Sequence, residues 1–294
     1  DIAVAEKDNQ RIIKTHQALL GNGLSEHEAL LFNLATALSN AGEHEKANDV
    51  YKRLLIRFPT SPGAKKAEKL KNLAHYNLDL KELEKRFDKL IEKLAFDRVV
   101  ADVDMLAKQS AEPAQSQLAF MAVKSLMTNN QFAKALTRSS KRALAKNPTP
   151  KDLESHAYSL AKAGYLMDAA DFYGRLHNSS ADKEERARGC FFRGFSFYEA
   201  SLYSMALFAW QGCKDSIEST SLHENYLWYT SLAFMLQNHH RKSIDILEQA
   251  LNKFPKSNDR EKYTYFIGLN LRNINKITES TAQFARLAAN SQSS

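Results

Sequence analysis

The stretch Gly189–Ala200, GCFFRGFSFYEA, decides how the chain is read. A surface helix of an ordinary globular domain has one apolar stripe and one polar face. Here Cys190, Gly194 and Phe197 step by four and three residues and draw one stripe. Phe191, Phe195 and Tyr198 step the same way and draw a second, offset by one residue, about 100° around the axis. Phe192 widens the second stripe. A helix with two apolar stripes faces two things. The first stripe, with Gly194 at its centre, suits a closely approaching partner helix. What the aromatic stripe faces has to come from the rest of the sequence.

Of the 294 residues, 44% are hydrophobic, enough for a large core, and there are only 10 Gly and 6 Pro. Sheets need many turn residues, so this scarcity favours helices joined by short connections. Basic residues number 41 and acidic ones 34, a mild excess of +7 on a mixed surface. In Lys81–Lys93, KELEKRFDKLIEK, each cation sits near an acid, which predicts a solvated helix face. No run of bases is interleaved with stacking aromatics, so nucleic acid is not an expected partner. No segment approaches the roughly 18 continuous apolar residues of a membrane span. The first residue is Asp1, not Met, for which removal of a secretory signal is one explanation.

Almost every segment reads at helical period, and the segments pair into hairpins. The clearest unit is Glu28–Pro59. Leu34, Ala35 and Leu38 lie on one helix, Gly42 turns the chain, Ala47 and Tyr51 lie on a second helix, and Pro59 follows. Small residues at Ala35 and Ala47 let the two helices approach, and Tyr51 fills the space beside them. The corresponding small residues of later second helices are Ala135, Ala169, Ala206, Ser243 and Ser280, spaced by 34, 37, 37 and 37. Their hairpins carry Ala157, Gly164 and Tyr173, then Gly194, Phe197 and Trp210, then Phe234, Ala250 and Pro255, then Gly268, Leu271 and Phe284.

These positions resemble the tetratricopeptide repeat (TPR), a unit of about 34 residues with Leu-Gly, Tyr, a small Ala, an aromatic and a terminal Pro. The longer period and the missing Trp-Leu-Gly triplets mark TPR-like units, not consensus copies. The fold expected is all-α, a right-handed α-solenoid of stacked helical hairpins over residues 1–294. Residues 28–61 form its clearest unit, 62–112 irregular units and 113–294 regular ones. The 88 residues between Ala47 and Ala135 leave room for two irregular units. There, Lys66–Asn77 and Leu80–Leu94 look like one hairpin, with Phe96–Lys108 a shorter helix after it. Gln10–Leu20 reads as an opening helix before a break at Gly21-Asn22-Gly23.

No catalytic constellation emerges. His239 and His240 are adjacent, point in different directions on a helix or tight turn, and read as a solvated turn rather than metal ligands. Glu184 and Glu185 sit at a helix start, where negative charge suits the helix dipole. There is no Gly-rich phosphate loop and no nucleophile elbow. Two cysteines make no metal set. Cys190 lies near the start of one helix and Cys213 near the end of its partner, ends that an antiparallel pair brings together. Buried thiols are the expected state, and a disulfide is the alternative in an exported protein. No enzyme activity, cofactor or metal is expected.

In TPR arrays the first helix of each hairpin lines the concave surface, and the resemblance gives the aromatic stripe that location. Trp228, Leu232 and Met235, widened by Tyr229 and Leu236, repeat it on the next first helix. Tyr265, Leu269 and Arg272, beside Phe266, repeat it on the one after. The candidate partner-binding residues are therefore Phe191, Phe192, Phe195, Tyr198, Trp228, Tyr229, Leu232, Tyr265 and Phe266. Either the rings meet one another, or they line an apolar groove that takes a helix or extended peptide. The subgroup of TPR proteins that clamps peptide carboxylates uses Lys, Asn and Arg in the first unit. Here Phe32 and Thr36 stand at those sites, so that mode is not expected.

A second resemblance is to soluble lytic transglycosylases of bacterial envelopes, whose α-superhelical region precedes a catalytic domain that cleaves peptidoglycan. ERARGCFFRGFSFYEASLYSMALFAW (185–210) and the segment 262–294 are similar to the last hairpins of such a region. The family's catalytic Glu-Ser motif is absent. The function expected is a non-enzymatic scaffold for a protein or peptide partner, in a bacterial periplasm or cell envelope, otherwise cytoplasmic. The alternative is the superhelical part of a lytic transglycosylase.

Overall fold

The computed structural model describes residues 2–21, 27–71 and 73–291. Asn22 and Gly23 of the expected break lie outside them. Among the described residues the elements are seventeen α-helices and one 3₁₀ turn, with no strand. The chain divides into two compact units, Asp1–Arg138 and Ser139–Ser294. The first holds α1 (Ile2–Gly21), α2 (Glu28–Asn40), α3 (His44–Arg57), α4 (Pro62–Leu70), the 3₁₀ turn Leu73–Tyr76, α5 (Leu80–Glu92), α6 (Phe96–Ala107) and α7 (Ala114–Thr128). The boundary falls inside α8 (Phe132–Ala143). The second unit holds α9 (Pro150–Lys162), α10 (Leu166–Ser179), α11 (Lys183–Glu199), α12 (Tyr203–Gln211), α13 (Lys214–Glu218), α14 (His223–Leu236), α15 (His240–Lys253), α16 (Arg260–Asn273) and α17 (Ile277–Ser291).

One turn recurs between first and second helices. At Gly42, Leu94, Asn130, Gly164, Ser201, Asn238 and Asn275 the backbone is left-handed, with φ between 56° and 87°. The amide of the following residue donates back across the turn: Glu43 to the Leu38 carbonyl, Ala95 to Leu90, Gln131 to Leu126, Tyr165 to Leu160, Leu202 to Phe197, His239 to Phe234 and Lys276 to Leu271. This is the Schellman closure, which satisfies a carbonyl that the helix end would otherwise leave open. The last four turn residues are spaced by 37, so the repeat is written in the turns as well as in the small residues.

The small residues lie where the helices touch. Ala35, Ala135, Ala157, Ala169 and Ala206 are fully buried, and Ala47, Ser243 and Ser280 nearly so. A Cβ added at Gly194 would stand 2.2 Å from Nε1 of Trp210, and one at Gly268 2.8 Å from the Phe284 ring. Trp210 Nε1 also donates to the Phe191 carbonyl at 3.0 Å, so the indole is held on α11 by a hydrogen bond as well as by contact. The Ser280 hydroxyl donates to the Gly268 carbonyl at 2.8 Å, which replaces an alanine contact by a hydrogen bond.

The irregular region differs from expectation. Lys66–Asn77 is not one helix: α4 starts earlier, at Pro62, capped by Ser61, whose side chain accepts from Ala64 N–H, and it stops at Leu70. The 3₁₀ turn follows, and the Tyr76 hydroxyl donates to the Ala67 carbonyl at 2.7 Å. Burial pushes that phenol up to about 12. α5 does not form a hairpin with α4. It turns through Leu94 into α6, where Val99 takes the fully buried site that alanine takes elsewhere. The larger valine is what hid this unit from the small-residue spacing.

Lys81–Lys93 is not a wholly solvated face either. Arg86, within it, is completely buried. It donates to the Leu55 carbonyl at 2.7 Å and pairs with Glu68 at 2.8 Å and Asp102 at 3.0 Å. Arg98 also pairs with Glu68. One guanidinium thus ties together α3, α4, α5 and α6. Removing one partner of such a buried pair typically costs about 3–5 kcal/mol, because the other charge is left desolvated.

Two substitutions check the hairpin geometry. Leu94 is 75% exposed yet left-handed. Leu94→Gly should relieve about 1 kcal/mol of backbone strain and raise the melting temperature, since little contact is lost. Gly194→Ala should lower stability by about 1–3 kcal/mol through its collision with Trp210. An unchanged melting temperature for Gly194→Ala would contradict the register.

Candidate functional site

The aromatic surface belongs to the second unit and is carried by α11, α14 and α16. Asp182 caps α11 by accepting from Glu185 N–H at 2.8 Å, and Glu184 and Glu185 occupy its first turn as the sequence suggests. Along α11, Phe191 and Phe195 stack at 6.1 Å, as do Phe195 and Tyr198. Tyr229 of α14 meets Phe195 edge-on at 4.9 Å and Tyr198 at 5.4 Å. Tyr203, at the start of α12, closes on Tyr198 at 5.6 Å. Phe192 leans the other way and stacks on Tyr173 of α10 at 5.5 Å.

A second cluster joins α14 to α16. Trp228 meets Phe266 edge-on at 5.0 Å and Tyr263 at 5.8 Å. The Lys262 ammonium lies 4.3 Å from the centre of the Trp228 ring and is held by Asp259 at 2.6 Å. Tyr265 touches Phe266 at 5.5 Å and Phe284 at 5.7 Å. The sequence reading missed Lys262 and Tyr263, which lie one helical turn or less before Tyr265 and Phe266 on α16.

Burial sorts the nine candidates. Phe191 is 4% exposed and is core, not groove, which corrects its assignment to the binding surface. Its ring lies 6.3 Å from Trp210 and 6.1 Å from Tyr229, between α11, α12 and α14. Phe192, Phe195, Tyr198, Trp228, Tyr229, Leu232 and Phe266 are half-buried. Tyr265 is 46% exposed. The structure therefore joins the two alternatives: the rings meet one another, and each half-buried ring still keeps part of its surface open. Burial raises the phenols of Tyr198 and Tyr229 above the usual tyrosine range, with Glu199 adding to the rise, so both stay neutral donors.

Cys190 and Cys213 are joined by a disulfide, with Cα atoms 6.2 Å apart. The expected buried thiols are thus replaced by the alternative. The bond ties α11 to Cys213, the residue that precedes α13.

His240 also departs from the expected solvated turn. His239 is exposed, but His240 is half-buried, with Nδ1 at 2.9 Å from the Asn270 side-chain oxygen. Asn270 itself is completely buried and donates to Ser243 Oγ at 3.1 Å. Elsewhere, Ser139 Oγ lies 2.9 Å from His156 Nδ1. Burial, with Arg175 adding to it, lowers the His156 pKa. Only 3% of Ser139 and 6% of His156 is exposed, so this pair reaches no substrate and serves as an internal hydrogen bond. Among the described residues no group of three or more His, Cys, Asp or Glu could hold a metal ion. No described helix is long and apolar enough to cross a membrane.

Helical hairpins closed by one repeated turn and joined through small residues define a TPR-like repeat protein. Residues 28–61 and 226–257 match the tetratricopeptide repeat model, and they coincide with the α2–α3 and α14–α15 hairpins. Among solved structures, the chain is similar to the nearly identical TPR-like repeats of a Podosopora anserina kinesin light chain protein. That match has 11% identity and a TM-score of 0.52, over 63% of this chain and 100% of that one. It is also similar to BtubC (BKLC) from P. vanneervenii, at 14% identity and a TM-score of 0.52, over 69% of this chain and 90% of that one. The apo form of RapI matches at 13% identity and a TM-score of 0.50, over 98% of this chain and 86% of that one. At such identities the likeness is one of fold. No curated protein sequence matches the chain.

The disulfide has a direct check. The oxidised chain should weigh two hydrogens less than the reduced one under non-reducing conditions. A loop of this length, with a separation of 23 residues, is worth about 3 kcal/mol, so Cys213→Ser should lower the melting temperature. Free thiols after air-oxidised refolding would remove the bond from the description.

Proposed function

We propose that this chain is a non-enzymatic scaffold that holds a protein or peptide segment against the aromatic face of α11, α14 and α16. TPR-like scaffolds in general serve protein interaction, and this supports the broad reading. The observation that carries the finer one is the row of half-buried rings on three successive first helices, ending at the exposed Tyr265. Rings braced against one another are already ordered, so a partner that covers them gains apolar burial at little further entropic cost. Of the second helices of the same hairpins, α15 presents a charged outer face, with Arg241, Lys242, Asp245 and Glu248 exposed, whereas α12 exposes Met205 and Phe208. The occupant that fits is a segment with apolar side chains at alternate or helical spacing.

The Cys190–Cys213 disulfide supports placement in an oxidising compartment, because such bonds persist where thiols are not kept reduced. The periplasm or cell envelope expected from the sequence is one such place.

The test separates binding from folding. Tyr265→Ala should leave the melting temperature within about 1 kcal/mol of stability of the parent. It should weaken capture of a partner by about 2 kcal/mol or more, as loss of a hot-spot aromatic does. Phe191→Ala, a core change, should instead cost about 3–5 kcal/mol of stability. Retention of the same partner by the parent and by Tyr265→Ala, at equal affinity, would defeat the proposal.

A further inference from the structure

His223, the first residue of α14, is only 2% exposed. Its Nδ1 stands 2.8 Å from the carbonyl oxygen of Glu218, the residue that ends α13. A carbonyl oxygen only accepts, so Nδ1 carries the ring proton and Nε2 carries the lone pair. Nε2 is buried, and no described residue hydrogen-bonds to it. The ring meets Phe254, just past the end of α15, edge-on at 5.6 Å, and it lies 6.2 Å from the Tyr226 ring. One nitrogen is thus matched, and the other is left without a partner beside two aromatic rings.

The ring holds a corner of the chain. α13 has five residues, and a helix that short does not persist on its own. It begins just after the disulfide-bonded Cys213, and Ile217 in its last turn is fully buried. At its far end the His223 ring joins it to α14.

The charges around the ring oppose a proton on Nε2. Glu218 and Lys214 of α13 and Lys253 of α15 face it. The Glu218 carboxylate favours a cation there, but it lies 3.4 Å from the Lys214 ammonium, which acts against one, as does Lys253. α12 has no charged residue. On α14 itself, the Glu224 carboxylate accepts from the Tyr263 hydroxyl at 2.8 Å. The start of a helix also disfavours positive charge. Burial first, and the two lysines after it, hold the His223 pKa below the ordinary histidine value of 6.5.

We infer that His223 is an acid-sensitive latch: a proton on Nε2 drives the ring out of this site and opens α13 and the first turns of α14. The sign follows from linkage. In the open corner the ring is solvated and takes its proton near 6.5, whereas the closed corner resists it until a lower pH. The latch therefore contributes its full stability above about pH 6.5 and loses it as pH falls from there toward the value of the closed ring. α14 goes on to carry Trp228 and Tyr229, so acid acts at the root of the helix in the middle of the aromatic face. The inference does not depend on that face having a partner.

The test is amide hydrogen exchange of the whole chain, read on residues 214–227 at pH 7.5 and 5.5 and corrected for the intrinsic rate. In the parent, the opening of this segment should rise about fivefold to tenfold on acidification, the ratio set by an open ring that titrates near 6.5. His223→Asn, whose side-chain amide still reaches the Glu218 carbonyl as a donor but takes no proton, should lose most of that rise. A thermal melt at pH 7.5 shows that the variant is folded. A second measurement needs no variant. Nuclear magnetic resonance of the parent's imidazoles should find His223 in the Nδ1–H form at pH 7.5, with a titration midpoint below 6.5. No rise in the parent, an equal rise in His223→Asn, an Nε2–H ring, or a midpoint at or above 6.5 would each overturn the inference.

Discussion

Everything in the second unit depends on how near α11 comes to α12. Gly194 has no side chain, and Trp210 uses that vacancy. The indole settles against the α11 backbone, donates to the Phe191 carbonyl and fixes the roll of α11 about its own axis. Once the roll is set, Cys190 faces Cys213 and the stripe of Phe195 and Tyr198 is directed toward Tyr229. The same relation, with Gly268 and Phe284, sets α16 and so the position of Tyr265. The aromatic face is thus a by-product of interhelix contact on the other side of the same helices.

Much of this was legible in the sequence because the determining contacts are local. Ala35 with Tyr51, Gly194 with Trp210 and Gly268 with Phe284 are each separated by sixteen residues, and a small-to-large pair at fixed spacing survives in a one-dimensional reading. The two apolar stripes of α11 were likewise visible, although Phe191 of the second packs into the core beside Trp210. What escaped was set by partners that no local pattern reveals. Arg86 looks like any surface arginine in a charged helix, and it is buried only because Glu68 and Asp102 converge on it from α4 and α6. The α5–α6 hairpin was missed because Val99 and Leu94 stand where alanine and glycine or asparagine are usual. Phe191 and Phe195 look equivalent in sequence, but Phe191 lies beside Trp210 and is core, whereas Phe195 keeps part of its surface open.

Both units pair the polar groups they bury. In the first, a charged guanidinium is taken out of water and matched by two carboxylates and a carbonyl. In the second, the carboxylates of Asp152 and Glu154 are buried against Arg142, Lys151 and Arg188, and neutral groups pair elsewhere: Asn270 with Ser243 and His240, and Ser280 with the Gly268 carbonyl. Neutral networks carry a smaller desolvation cost than ions. They therefore let polar side chains stand at the small-residue sites without opening the helix pair.

The turn that closes each hairpin is made by backbone groups no more than five residues apart. The disulfide joins residues 23 apart, from α11 to just past the end of α12. The contacts that close each hairpin are therefore short in sequence. A chain built this way has low contact order, and it has little loop entropy to lose before its contacts begin to stabilise it. As it emerges residue by residue during synthesis, each hairpin is able to close as soon as its second helix is out. The two cysteines then meet without waiting for the chain's far end, and wrong pairings are excluded because no third thiol exists.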